Sequence, residues 1–254
     1  MDLNIKNKKA LITGASGGLG KAIAHSLIEE GVEVCIVSRS LEKMENYLKN
    51  YNGKHLALEY DLMEENAPTQ MVNEMLEKFG TPDIIIHNVG GTLDIKDPFC
   101  SLEDWRRVYR FNLEIALEIN QILIPKLQEK KWGRVIHISS IASLENQGPI
   151  TYCSIKAALT AYTRSIGRVV SADGVSVSAV LPGAVYTEGG YWDYTSKNNP
   201  EHVEKYLNER MAIKRFGTLE EISKITTFLA SDYAGFIVGS SFVVDGGQGK
   251  SFTY

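Results

Sequence analysis

Short apolar runs alternate along this chain with longer stretches whose apolar positions recur at helical spacing. The runs are Ala10-Leu11-Ile12 and residues 32–37, 55–60, 83–87, 134–138, 175–181 and 241–244. Between them, helical spacing covers residues 19–30, 41–50, 65–79, 102–130, 151–172 and 219–230. Runs such as Ile84-Ile85-Ile86 are apolar on both sides of a strand, as in parallel sheets covered on both faces. Strict β–α alternation then predicts right-handed crossovers and a doubly wound α/β parallel sheet of about seven strands with helices on both faces. The fourth helical stretch is long, and Pro125 is expected to distort its last part.

No Pro/Gly-rich linker or internal repeat divides the chain, which predicts one domain over residues 1–254. One stretch breaks the alternation. Residues 183–216 are aromatic, polar and weakly periodic, with Tyr186, Tyr191, Trp192 and Tyr194 among them. An excursion of this length inside a compact domain predicts a substrate loop or lid.

Composition narrows the partners. The 254 residues are 44% hydrophobic and 23% charged, as in soluble globular proteins rather than disordered or disulfide-held chains. A net charge of −4 repels phosphate polymers, so no nucleic-acid partner is expected. No segment approaches the roughly 20 apolar residues of a membrane helix. Residues 1–9 are too polar for a signal peptide, so a cytoplasmic enzyme without membrane contact is expected. Three cysteines without a C-x-x-C motif read as reduced structural thiols: Cys35 in a strand, Cys100 in a loop and Cys153 at a helix start. No metal is expected.

Thr13-Gly14-Ala15-Ser16-Gly17-Gly18-Leu19-Gly20 follows the first strand and opens the first helix. Gly14 suits a tight turn, Gly18 lets backbone approach a pyrophosphate, and Gly20 lets helix and strand pack closely. Phosphates there would meet free N–H groups and the positive end of the helix dipole. The turn from Gly14 through Ser16, Gly18, Leu19 and Gly20 is therefore the candidate dinucleotide site of a Rossmann-type fold.

About 20 residues on, the second strand ends at Ser38-Arg39-Ser40, where such folds read the adenosine ribose. An acid there would accept from a 2′-hydroxyl. Arg39 offers a charged fork suited to a 2′-phosphate, with Ser38 and Ser40 as further donors. NADP is therefore expected, with NAD the alternative.

Tyr152 and Lys156 stand four apart at a helix start and share a face. A nearby ammonium favours a phenolate and would bring the tyrosine pKa down toward a useful range. Spacing alone is weak evidence, because 12 tyrosines and 27 Lys+Arg in 254 positions give about one such pair by chance (12 × 27/254). Tyr206 and Arg210 form another, with no evident purpose. The place of Tyr152 and Lys156 after the fifth strand, with Ser139-Ser140 upstream, is what counts.

Taken in order, these pieces resemble the short-chain dehydrogenase/reductase family in its single-domain form, from about residue 8 to residue 247. The resemblance rests on the glycine turn, Asp61-Leu62, His87-Asn88-Val89-Gly90, Asn112, the serine pair, Tyr152-Cys153-Ser154-Ile155-Lys156, Pro182-Gly183 with Thr187, and Val244-Asp245-Gly246-Gly247. It implies that Tyr152 is the general acid/base on a carbonyl or hydroxyl oxygen. Lys156 would lower its pKa and hold the nicotinamide ribose, a serine would bond the same oxygen, and Asn112 would hold a water in a proton relay. Asp61 and Leu62 would flank the adenine, Asn88 and Gly90 the central cofactor, and Val185 and Thr187 the nicotinamide end, with Pro182 and Gly183 also binding the cofactor.

The chain departs from the family pattern at several points. His87 and Val89 stand where two asparagines and an alanine are usual, and His87 is expected to be satisfied locally. Gly17 occupies a place that is often basic in NADP-preferring members. Family spacing points to Ser139 as the catalytic serine, whereas the pattern Ile-Ser-Ser-Ile-Ala points to Ser140. Strand alternation sends the two to opposite faces, and because loops accept deletions more readily than strands, Ser140 is chosen.

The expected reaction is hydride transfer between NADP(H) and a carbonyl or alcohol carbon of a small substrate. Similarity to 3-oxoacyl-(acyl carrier protein) reductases is the natural default. Those enzymes place a basic carrier-docking residue where this chain has Asp173, although Lys131 retains the other basic position. A sugar or polyol dehydrogenase using NAD is an equal alternative. A sugar-nucleotide epimerase, which normally carries an additional C-terminal substrate region, is not expected, and a non-catalytic dinucleotide-binding regulator would have no need of the Ser140, Tyr152, Lys156 and Asn112 set. The family also implies a homotetramer or homodimer.

Overall fold

A computed structural model describes residues 1–251. Seven strands, β1 (Lys9–Thr13), β2 (Glu33–Ser38), β3 (Leu56–Glu59), β4 (Ile84–His87), β5 (Gly133–Ile138), β6 (Val175–Pro182) and β7 (Ser240–Val244), form one sheet in the order β3-β2-β1-β4-β5-β6-β7. Every neighbouring pair is parallel. Alternate side chains feed two separate cores. Ala10, Ile12, Val34, Ile36, Ile84 and Ile86 pack with α1 (Gly18–Glu29), α2 (Leu41–Leu48) and α9 (Leu219–Leu229). Leu11, Cys35, Val37, Ile85 and Val135 pack with α3 (Ala67–Lys78) and α5 (Ile115–Glu129) on the other face. This two-sided burial is why the strands read as unbroken apolar runs.

The strand order reverses between β1 and β4. Loops leaving their carboxyl ends diverge there and open a crevice, the place where ligands bind in doubly wound sheets. Among the described residues, no helix is long and apolar enough to cross a membrane.

One expectation needs correction, and the stretch 183–216 gains detail. The stretch 102–130 is not one helix distorted by Pro125: α5 runs through Pro125 to Glu129. The break falls earlier, where a single π-helical turn, Arg110–Glu114, separates α4 (Leu102–Tyr109) from α5. An inserted residue of this kind shifts the helix register and commonly marks a functional site, and Asn112 lies buried within it. Residues 183–216, expected as a loop or lid, hold two helices, α7 (Tyr191–Asn198) and α8 (Pro200–Arg210). Asn199 caps α8 by accepting from the His202 N–H at 3.2 Å, with Pro200 at the first helical position.

Candidate active site

The glycine turn is built as its sequence requires. Gly14 has φ +69°, in the left-handed region. A Cβ at Gly20 would fall 2.3 Å from the Gly14 carbonyl oxygen, so only glycine lets helix α1 approach the turn. Asn88, at the end of β4, donates through Nδ2 to the carbonyls of Thr13 (3.1 Å) and Gly14 (3.0 Å). Its amide thus fastens the turn from across the crevice. Thr187 reaches over from the far side, its methyl 3.3 Å from where a Gly18 Cβ would stand.

A cavity of about 490 Å³ lies along these ends. It is lined by Gly14, Ser16, Ser38, Arg39, Asp61, Leu62, Asn88 and Gly90, eight of the residues singled out in the sequence. Arg39 is exposed and has no hydrogen-bond or ion-pair partner among the described residues. Asp61 also closes its own turn, accepting from the Met63 N–H at 3.0 Å. Sequence reasoning missed Lys43, Tyr60, Met63 and Phe111, which share the lining. Lys43 is four residues beyond Arg39 and brings a second cation to the cavity wall.

The candidate residues outside this cavity are placed by packing. Leu19 packs partly against the core and Gly20 is buried. Pro182 pairs with Val244, and a Cβ on Gly183 would fall 2.7 Å from both Asp245 Cβ and Gln248 Oε1. Val185 bridges to Gly217.

The two serines separate as strand alternation requires. Ser139 is buried, with its hydroxyl 3.0 Å from Thr160 Oγ1 and 3.3 Å from the Lys156 carbonyl. Ser140 begins a short 3-10 turn, where its Oγ accepts from the Ala142 N–H at 3.1 Å. The Ser140 hydroxyl also faces the Tyr152 phenol, and hydrogen bonding there favours the phenolate. Both Tyr152 and Lys156 stand on α6 (Ile150–Val170).

The electrostatics differ from the simple expectation. Burial raises the Tyr152 pKa, Ser140 pulls it back down, and the phenol as a whole stays above its ordinary value. Lys156 does not reverse this. It is 3% exposed, and burial brings its own pKa down to about 7. Its Nζ lies 5.7 Å from the Tyr152 ring centre and donates to the Ile138 carbonyl at 2.9 Å. The amine also stands beside Gly90 of the cavity wall, where a Cβ would fall 2.9 Å from Nζ and 2.7 Å from Asn112 Oδ1.

Asn112 clamps the Gly91 backbone from both sides. Its Oδ1 accepts from Gly91 N–H at 2.9 Å, and its Nδ2 donates to Gly91 O at 2.8 Å and Val108 O at 2.9 Å. The π turn also carries Arg110, which ties Glu114 and Glu118 to the carbonyls of Leu62 (3.2 Å) and Glu64 (3.0 Å). Nothing in the sequence pattern marks this second role.

A family profile described as enoyl-(acyl carrier protein) reductase matches residues 14–248. The 3-oxoacyl-[acyl-carrier-protein] reductase of Aquifex aeolicus is 31% identical over 253 residues, covering 98% of this chain and all of that one. The chain belongs to the short-chain dehydrogenase/reductase family. As a short-chain dehydrogenase/reductase, it is an oxidoreductase acting on CH–OH or C=O groups. The meso-2,3-butanediol dehydrogenase of Serratia marcescens is 30% identical over 251 residues, covering 98% of this chain and 97% of that one. The L-sorbose reductase of Gluconobacter frateurii, solved with NADPH and L-sorbose, superposes with a TM-score of 0.92 at 27% identity, covering 99% of this chain and all of that one.

Proposed function

We propose that this enzyme reduces the carbonyl of a small polar substrate with NADPH and runs the reverse oxidation with NADP. The observation that carries the reading is the meeting of Ser140, Tyr152 and Lys156, with the Lys156 amine beside Gly90 of the cavity wall. The cavity suits the adenosine half of a dinucleotide, with Asp61 and Leu62 at the adenine and Gly14 and Ser16 at the pyrophosphate. Arg39, free of any carboxylate, suits a 2′-phosphate, and Lys43 adds a second charge on the same wall. The sorbose reductase that shares the fold was solved with NADPH, which favours NADP over NAD here. When bound, the nicotinamide supplies or takes the hydride.

The chain's own residues handle the proton. Burial holds the Tyr152 phenol protonated, ready to donate to a forming alkoxide. Ser140 lies beside the same hydroxyl and aligns the substrate oxygen. Lys156 would hold the nicotinamide ribose and stands where its charge would assist the phenolate left after donation. Asn112 fixes the Gly90-Gly91 backbone and the π turn, and a water held there would return the proton.

One contact favours a free small molecule over a carrier-borne one. Lys131, the retained basic position of the carrier reductases, pairs with Asp173 at 2.6 Å, so the acid at the other position offsets the positive charge presented there. A dinucleotide sensor would have no use for the contact between Ser140 and Tyr152. By family analogy the enzyme assembles as a homotetramer or homodimer, and light scattering tests that.

The deciding assay follows NADPH and NADH consumption at the nicotinamide absorbance band across a carbonyl panel. Tyr152→Phe should lower kcat by about 10²–10⁴-fold and leave the NADPH Kd nearly unchanged. An undiminished kcat refutes the acid/base assignment.

A further inference from the structure

The Tyr206–Arg210 pair has no part in the chemistry described so far, yet both residues line a second cavity of about 510 Å³. We propose that the substrate carries an anionic oxygen group, carboxylate or phosphate, that docks on Arg210 while its carbonyl meets Tyr152. This rests on the carbonyl-reductase reading and names the substrate class for it.

The cavity borders the reacting centre. One wall is the loop Asn146-Gln147-Gly148, and a Cβ placed on Gly148 would stand 3.6 Å from Tyr152 Cδ1. The facing wall comes from α7 and α8. Trp192 packs on Tyr206 with ring centres 4.3 Å apart and is backed by Phe216 at 4.7 Å, forming a rigid apolar surface. Tyr206 is fixed from behind: its phenol oxygen accepts from Gln248 Nε2 at 2.6 Å, and Gln248 Oε1 in turn accepts from the Ala184 N–H at 2.7 Å. The Tyr206 proton is therefore available to a ligand.

Charge selects the ligand. Residues 183–216 hold five cations, and four are already committed. Lys197 pairs with Asp193, Lys205 with Glu209, Arg215 with Glu221, and Lys214 donates to the Asn208 carbonyl. Arg210 has no hydrogen-bond or ion-pair partner among the described residues, and its charge is felt at the Tyr206 hydroxyl. Glu209 is the one acid lining the cavity, and Lys205 answers it at 4.0 Å. Glu145, next to Asn146, is bound to Gln147 Nε2 and the Lys250 N–H. A free guanidinium and a phenol proton beside an aromatic wall suit a planar carboxylate or a phosphate on a short carbon chain.

The test compares matched carbonyl pairs with NADPH: acetoacetate against its methyl ester, a keto-sugar acid against the parent ketose, and dihydroxyacetone phosphate against dihydroxyacetone. The charged member of at least one pair should show a kcat/KM about tenfold or more above its neutral partner. Arg210→Met should collapse that ratio toward one, mainly through KM, and Arg210→Lys should keep part of it. The responding pair tells carboxylate from phosphate. Charged members that are never preferred, or a ratio that Arg210→Met leaves intact, overturn the proposal.

A binding readout separates it from the reaction itself. In NADPH-loaded Tyr152→Phe protein, the charged probe should quench tryptophan emission, and adding Arg210→Met should abolish the quench. Quenching of this kind in a protein that reduces no carbonyl would keep the docking site and remove the reductase reading. Neutral ketones reduced without charge preference would do the reverse.

Discussion

Lys156 should make the protein less stable at neutral pH than a methionine in its place. An unfolded lysine titrates at about 10.4, whereas burial brings Lys156 down to about 7. Below about pH 10 the unfolded chain therefore binds a proton that the native state resists. Wild-type stability should rise as pH climbs from about 7 toward 10, because the unfolded state carries the extra proton over that window. The charge costs about 4 kcal/mol at pH 7 and under about 1 kcal/mol at pH 10. Against this, Lys156→Met orphans the Ile138 carbonyl, which now accepts from Nζ at 2.9 Å; that loss is worth about 1–3 kcal/mol at any pH. Lys156→Met should then be more stable than wild type by about 1–3 kcal/mol at pH 7 and less stable at pH 10. Urea unfolding of both cofactor-free proteins at the two pH values measures this, and titrations common to both cancel in the difference. A difference that stays constant from pH 7 to pH 10 would refute the claim that Lys156 is held against its charge.

Other substitutions separate the remaining roles. Arg39→Asp should lower the ratio of NADPH to NADH kcat/KM by about tenfold or more; an unmoved ratio removes Arg39 from 2′-phosphate recognition. Ser140→Ala should cut kcat while barely changing the urea midpoint. Ser139→Ala should instead cost about 1–3 kcal/mol of stability, since it strips a partner from the Thr160 hydroxyl and the buried Lys156 carbonyl. A larger activity loss at Ser139 would reverse the choice of serine.

The sheet and the glycine turn were legible because both are local. Strands buried on two faces need unbroken apolar runs, and a turn against a helix start needs glycine where a Cβ would strike backbone, as at Gly20. Helix α8 was half legible. Asn199-Pro200 is a start signal, but the polar and aromatic stretch around it lacks the periodicity that marks a core-facing helix. The π turn at Arg110–Glu114 was not legible, because one extra residue in a helix leaves the composition of its faces almost unchanged. The sign of the Tyr152 shift was also hidden. Spacing places an amine one turn away, but only the fold shows that burial outweighs it and that the amine donates to Ile138.

His87 shows what decides whether a departure from the family pattern survives. A histidine replacing an asparagine at the end of β4 puts a bulkier ring into the buried layer beside α5. Its Nε2 lies 2.8 Å from Asn120 Oδ1, and its ring stacks on His137 with centres 5.0 Å apart. His137 lies 3.2 Å from Asn120 Nδ2 and 2.9 Å from Thr163 Oγ1, and Asn120 also donates to the Tyr162 hydroxyl at 3.2 Å. Burial brings the His87 pKa down to about 4 and holds His137 well below its ordinary value, so both rings are neutral at pH 7. The cluster therefore adds no buried charge beside Lys156, and several of its polar groups find one another. A single chain read residue by residue shows His87 as an anomaly. Read with Asn120, His137, Tyr162 and Thr163, it is one member of a buried network whose members lie far apart in sequence and meet only in the fold.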